Sequence, residues 1–218
     1  MCGRITLYHD ELDLSGVLGV DGLAGHPRYN VAPTSEVPWV RQRTDGTREV
    51  LRGRWGLVPH WVGQPERFKA LLFNARSEGV ATKPSFRDAL RRARCVVPVS
   101  GFYEWQREGA RKQPFHVVRA DGAPLLLAGL YAERDSGHSV TILTCAPNER
   151  MAVLHDRMPV VLAAADLDLW LDPAHHEPSA IAHLLRPCPS EWLSAYPVDP
   201  RVGNARVDDP GLVQARTG

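Results

Sequence analysis

CVVPVSGFYEWQ, residues 95–106, decides the fold class. A short apolar run, a Ser-Gly break and a second run rich in aromatics read as two strands separated by a turn. The same texture continues through PFHVVRA (114–120), PLLLAGLYA (124–132), SVTILTC (139–145) and PVVLA (159–163). Upstream it is matched by EVPWV (36–40) and REVLRGRWGLV (48–58). Asp45-Gly46 and Asp121-Gly122 supply turn residues between such runs. Helical stretches are few and short, at roughly 12–19, 84–94, 148–155, 166–171 and 178–186. The second follows Thr82-Lys83-Pro84 and carries Phe86, Leu90 and Ala93 near one face. Many strands and few helices predict an α+β domain built on an antiparallel or mixed, barrel-like sheet.

With 218 residues, 44% of them hydrophobic and 23% charged, the chain suits one well-buried core. No repeat or linker divides it, so residues 1–218 are expected to form a single domain. No apolar run approaches the ~20 residues of a membrane span. No basic-then-apolar leader opens the chain. Cys2, Cys95, Cys145 and Cys188 form no CxxC pair, which argues against a zinc site or a disulfide framework. Free thiols in a reducing cytosol are the expectation. Net charge is +1, but residues 41–94 hold 13 Lys/Arg against 5 Asp/Glu, and residues 121–218 hold 7 against 13. Of the 26 basic residues 23 are Arg, a side chain suited to bidentate phosphate contacts and also a mark of a GC-rich genome.

Several polar residues interrupt apolar segments, where a polar group is costly unless paired or used. In LLFNARSEGV, Asn74, Arg76 and Glu78 alternate and would share one face of a strand, either a ligand wall or a solvated edge. Glu104 stands between Tyr103 and Trp105, where desolvation would raise its pKa unless it points to water. His155 and Arg157 in VLHDRMPVVL offer an acid/base and an anion fork, though a His there also suits a helix terminus. Ala174-His175-His176-Glu177 is a weak metal pattern in a loop, and no metal is assigned. RYNVAPTSEVPW and RGRWGLVPHW interleave Asn30, Pro33, Arg54, Pro59 and Trp61 with Trp55, which reads as core. Such interleaving suits a groove that stacks bases and tracks phosphates. Cys2 follows Met1 directly and is small enough for Met1 to be removed. A mature N-terminal Cys would carry a thiol and a free α-amine on neighbouring carbons.

Taken in order, M-C-G-R, R-Y-N-V-A-P, W-G-L-V-P-x-W, N-A-R-S-E, C-x-x-P-x-S-G-F-Y-E-W, H-D-R-M-P and V-G-N closely resemble the SOS response-associated peptidase (SRAP) family, from residue 1 to about 205. The resemblance implies an abasic-site sensor that cross-links to single-stranded DNA through the Cys exposed by loss of Met1. It also implies self-removal of the N-terminal segment and lyase-type reactivity. Carried over, Cys2 is the nucleophile, with Asn74, Glu104 and His155 around it. Gly3, Arg4, Arg76 and Arg157 would hold phosphates, and Asn30, Pro33, Trp61 and Phe86 would line or wedge a bent strand. No cofactor is implied. The partner is single-stranded DNA containing abasic sites, met by a monomer in the cytoplasm that joins the nucleoid on DNA. Thr144-Cys145-Ala146-Pro147-Asn148 departs from the Thr-rich run of the family, and the tail after Gly203 receives no role.

The chemistry suits those residues. A ring-opened abasic deoxyribose presents an aldehyde, and an α-amine of ordinary pKa, about 7.7–8.0, is substantially neutral near pH 7. A Schiff base forms, and the thiol closes a thiazolidine on the same carbon. Glu104 would shuttle protons, and His155 would act at the sugar in ring opening or reversal. Two rivals share these residues: an N-terminal-nucleophile amidohydrolase or cysteine peptidase, and a non-catalytic single-strand binding module.

Overall fold

The computed structural model describes residues 2–9, 11–23, 25–109, 111–135 and 137–216. In chain order the strands are β1 (Ile5–Leu7), β2 (Arg28–Val31), β3 (Glu36–Gln42), β4 (Arg48–Trp55), β5 (Asn74–Arg76), β6 (Arg94–Val99), β7 (Gly101–Glu108), β8 (Arg111–Arg119), β9 (Leu125–Arg134), β10 (Gly137–Cys145), β11 (Met158–Pro159) and β12 (Leu193–Pro197). The helices are α1 (Glu11–Leu18), α2 (Arg87–Arg92), α3 (Glu149–Ala152), α4 (Leu167–Leu171) and α5 (Pro178–Ile181), several extended by 3-10 turns. All five expected helical stretches are present, mostly shorter than the sequence suggested. No helix among the described residues is long and apolar enough to cross a membrane.

Five strands close on themselves in the order β10-β4-β3-β6-β9 and back to β10. Closure removes the unpaired edges that an open sheet would present. The seam between β4 and β10 is parallel and brief, pairing Arg54 with Ser139 and Trp55 with Val140. Beyond that seam β10 pairs with β5 in parallel and with β11 antiparallel, so its C-terminal half leaves the barrel and carries a small platform. A second, antiparallel sheet runs β12-β8-β7-β1-β2.

Every residue of β6 is buried, as expected of an apolar run enclosed on both faces. Trp39, Trp55 and Trp170 are wholly buried. The indole N–H of Trp55 donates to the Phe73 carbonyl at 2.9 Å, and that of Trp170 to the Cys95 carbonyl at 2.8 Å. Phe86, expected to line the strand-binding groove, is only 5% exposed and belongs to this core, so it is not available as a wedge. Burying its ring against the barrel removes apolar area from water, which a solvent-facing wedge would forgo.

At the start of β7 the chain passes directly over a buried histidine. A Cβ on Gly101 would lie 2.5 Å from His116 Nε2, so only glycine fits. His116 lies between Thr6 (Oγ1 to Nε2, 3.2 Å) and Tyr196 (Oη to Nδ1, 3.0 Å). The Tyr196 hydroxyl donates to the Val213 carbonyl at 3.1 Å, which leaves it to accept from Nδ1–H. Nε2 then accepts from Thr6. Burial pushes the imidazole down to about 3, so it stays neutral.

The C-terminal tail, silent in the sequence, is a strap over the second sheet. Val198, Val202 and Leu212 pack with Tyr103 as a separate apolar cluster. Asn30 Nδ2 donates to the carbonyls of Val202, Asn204 and Val207 at 3.3, 3.0 and 2.7 Å. The Tyr29 N–H donates to Asp208 at 2.5 Å.

Candidate active site around Cys2

Strand β1 pairs antiparallel with β7 at Ile5 and Thr6, and the Tyr103 N–H continues the ladder to the Arg4 carbonyl at 2.9 Å. That pairing draws the N-terminal residues along the edge of β7 toward Glu104. Cys2 is wholly buried against the main core. Asn74, at the start of β5, donates from Nδ2 to the Cys2 carbonyl at 2.8 Å. Its Oδ1 is buried and has no hydrogen-bond partner among the described residues. Parallel pairing of Asn74 with Ile142 fixes this amide on the platform of β10.

Glu104 is 2% exposed. Burial raises its carboxyl above the usual range, while the positive charges of the amino terminus and His155 pull the other way. Burial, together with the Glu104 charge, raises the Cys2 thiol far above an ordinary cysteine, so the sulfur rests as S–H. His155 follows α3, whose first turn is capped by Asn148 Oδ1 accepting the Met151 N–H at 3.0 Å. His155 Nδ1 accepts the Arg157 N–H at 3.0 Å and also lies 2.7 Å from Asp156 Oδ1.

The sequence-derived residues divide into groups. Cys2, Asn74, Glu104 and His155 converge. Arg157 stands beside them with its guanidinium occupied: it grips Glu78 through both nitrogens, at 2.5 and 2.9 Å, and donates to the Thr144 carbonyl at 2.6 Å. Arg76, on β5, is exposed and makes no ion pair among the described residues. Gly3 and Arg4 follow Cys2 in the chain. Arg4 donates to Asn30 Oδ1 at 2.6 Å, to the Val202 carbonyl at 2.7 Å and to the Gly203 carbonyl at 3.3 Å, so Arg4 and Asn30 tie the N-terminal strand to the strap.

Pro33 is half-buried at a turn where Thr34 takes a φ of 76°, held by its N–H donating to the Trp55 carbonyl at 2.7 Å. A β-branched residue there carries strain of about 1–3 kcal/mol. Trp61 is 54% exposed and lines a cleft of about 490 Å3 with Pro59, Pro84, Arg91, Arg92 and Tyr131. Cys145 is buried at 2% exposure, its thiol pushed up to about 12 by burial.

Three features escaped the sequence reading. The fork of Arg134 donates to the carbonyls of Pro59 and His60 at 2.9 Å and of Val62 at 2.5 Å, holding the loop that displays Trp61. Gly203 of the strap forms a wall of the site. Arg107 and Lys112 join it, lining with Glu104, Trp105 and His155 a cavity of about 360 Å3. Only the spacing of the β7–β8 hairpin could have placed those two cations opposite one another.

The model of the family described as SOS response associated peptidase (SRAP) matches residues 1–205. The chain is 34% identical over 226 residues to the abasic site processing protein YoqW of Bacillus subtilis (strain 168), covering 99% of this chain and 100% of that protein. It is 31% identical over 228 residues to the abasic site processing protein YedK of Escherichia coli (strain K12), covering 98% and 99%. A crystal structure of a protein from Bacteroides thetaiotaomicron superposes with a TM-score of 0.83 at 26% identity, over 99% of this chain and all of that one. With a family match over nearly its whole length and relatives aligned end to end, the chain belongs to the SOS response associated peptidase family.

Proposed function

We propose that this protein processes abasic sites in single-stranded DNA by forming a covalent cross-link through Cys2 once Met1 is gone. The observation that carries the reading is the convergence of Asn74, Glu104 and His155 on a buried Cys2 beside an open cavity. The names of relatives that process abasic sites support the substrate.

In the proposed sequence the freed α-amine attacks the aldehyde carbon of the ring-opened deoxyribose. Glu104, whose burial favours its protonated form, donates to the departing hydroxyl, and one water leaves as the C=N bond forms. The Cys2 S–H then adds across that bond: sulfur bonds to carbon, and the proton passes through Glu104 to nitrogen. One water is lost in all, and nothing is oxidised or reduced. Asn74 holds the Cys2 carbonyl so that amine and thiol face the cavity together, a contribution of positioning. His155 serves the sugar hydroxyl on ring opening, and Arg76 and Arg157 take the flanking phosphates, Arg157 by exchanging Glu78 for one. Removal of Met1 by the protein itself, and strand cleavage through the Schiff base, belong to the same proposed chemistry.

Intact-mass spectrometry tests this, before and after incubation with an oligonucleotide carrying one abasic site. The expected result is loss of Met1 and a DNA adduct lighter by one water than the sum of its parts, absent in Cys2→Ala. A mature N-terminal Cys that turns over a small amide and gives no adduct would favour an amidohydrolase. Tight binding with no adduct would leave a binding module.

A further inference from the structure

The pairing register of β7 and β8 sets Arg107 directly opposite Lys112, with Trp105 opposite Pro114 two positions nearer Cys2. Like charges facing one another across a ladder destabilise it. Here no carboxylate pairs with either cation: among the described residues neither the Arg107 nor the Lys112 side chain makes a hydrogen bond or an ion pair. Both are exposed, and both line the cavity that holds Glu104 and His155. Trp105, half-buried on the same wall, offers an aromatic surface between the cations and the site. The remaining wall is Gly203, whose carbonyl is already taken by Arg4. Two unpaired cations, one a planar fork and one a point charge, side by side at the mouth of a cavity are a receptor for one phosphate.

We infer that Arg107 and Lys112 form a two-cation clamp for a single DNA phosphate next to the lesion, with Trp105 bearing the intervening sugar or base. This rests on the reading of the Cys2 site as the place where an abasic nucleotide is held. The clamp is distinct from the Arg4, Arg76 and Arg157 set, being carried by β7 and β8, which hold none of those three. The shared ligand chemistry is a phosphate oxygen anion, which either an internal phosphodiester or a terminal phosphate monoester can present.

The test uses the full chain and two oligonucleotides. One carries a tetrahydrofuran abasic analogue, which cannot react with an amine; the other carries a true abasic site. The expected result for Arg107→Gln/Lys112→Gln is weaker binding of the analogue at low salt. The slope of log K against log salt should be shallower by about 0.7, as for one lost phosphate contact on a single strand. Replacing flanking phosphates one at a time by methylphosphonate should weaken wild type at one position and leave the double variant unchanged there. Oligonucleotides ending at that position, with and without a terminal phosphate, separate the two sources. An unchanged salt slope, or methylphosphonate effects identical in wild type and variant at every position, would overturn the clamp. Failure of the true abasic oligonucleotide to cross-link to wild type would overturn the Cys2 reading instead, and the analogue measurements judge the clamp independently of it.

Discussion

The side-chain amide of Asn74 donates to the backbone carbonyl of Cys2 at 2.8 Å, joining the start of β5 to the N-terminal strand. That contact fixes the peptide plane behind Cys2, and with it the direction of the amine once Met1 is removed. One such bond is worth about 0.5–1.5 kcal/mol. Asn74→Leu, similar in size and unable to donate, should slow cross-linking roughly two- to tenfold. Affinity for the unreactive tetrahydrofuran analogue should not change. Rates come from quenched time courses on denaturing gels, and an equal loss in rate and in affinity would mean that Asn74 grips the DNA rather than Cys2.

Glu104 makes a prediction about pH. Its carboxyl is raised by burial, against the opposing amino terminus and His155. Between the ordinary glutamate value and the raised one, the folded protein keeps a proton that the unfolded chain has lost. Stability therefore falls as pH rises through that window. Glu104→Gln does not titrate, so its melting temperature relative to wild type should climb across the window. Its cross-linking rate should lose the fall that wild type shows as pH rises and Glu104 gives up its proton, while the acidic limb set by the attacking amine remains. A melting difference constant with pH would show that the carboxyl is not desolvated as described.

The strands were legible because glycine, proline or aspartate separates most of them and because β6 and β9 are mostly apolar. The barrel-like core was expected and is present, but where it closes was not legible, since the β4–β10 seam rests on two residue pairs far apart in sequence. Cys2, Asn74, Glu104 and His155 stood out as polar or reactive residues in conspicuous settings, and the fold gathers them. Phe86 carried two readings, an apolar helix face shared with Leu90 and, through the resemblance, a place along the strand; its 5% exposure fits the first. The strap was largely illegible because most of its bonds are to backbone carbonyls, which every sequence has; the V-G-N motif at 202–204 and the donors Asn30 and Arg4 carried what signal there was.

Asn30 is the test of that strap. Its amide serves three carbonyls of residues 202–207 and accepts from Arg4 at 2.6 Å. Asn30→Leu strands these groups in a buried site, at a cost of roughly 2–4 kcal/mol. Hydrogen exchange should accelerate over residues 198–213 and at the Arg4 end of β1, while β6 and β9 stay protected. Unchanged exchange in the tail would mean that Val198, Val202 and Leu212 hold the strap by packing alone.

His116 supplies the acid limit of stability. The folded protein keeps its imidazole neutral, pushed down to about 3, while the unfolded chain takes up a proton below about 6.5. The unfolded state then binds more protons, so stability is lost as pH falls from the ordinary histidine value toward the depressed one. The slope approaches about 1.4 kcal/mol per pH unit. His116→Gln removes the titration and keeps an amide between Thr6 and Tyr196. The variant should be less stable than wild type near neutrality, because its geometry fits less well under Gly101. The gap should narrow as pH falls, and denaturant midpoints measured at several pH values between 7 and 4 read it directly. Parallel acid limbs for the two proteins would place the proton uptake elsewhere, since the carboxylates are common to both and cancel in the comparison.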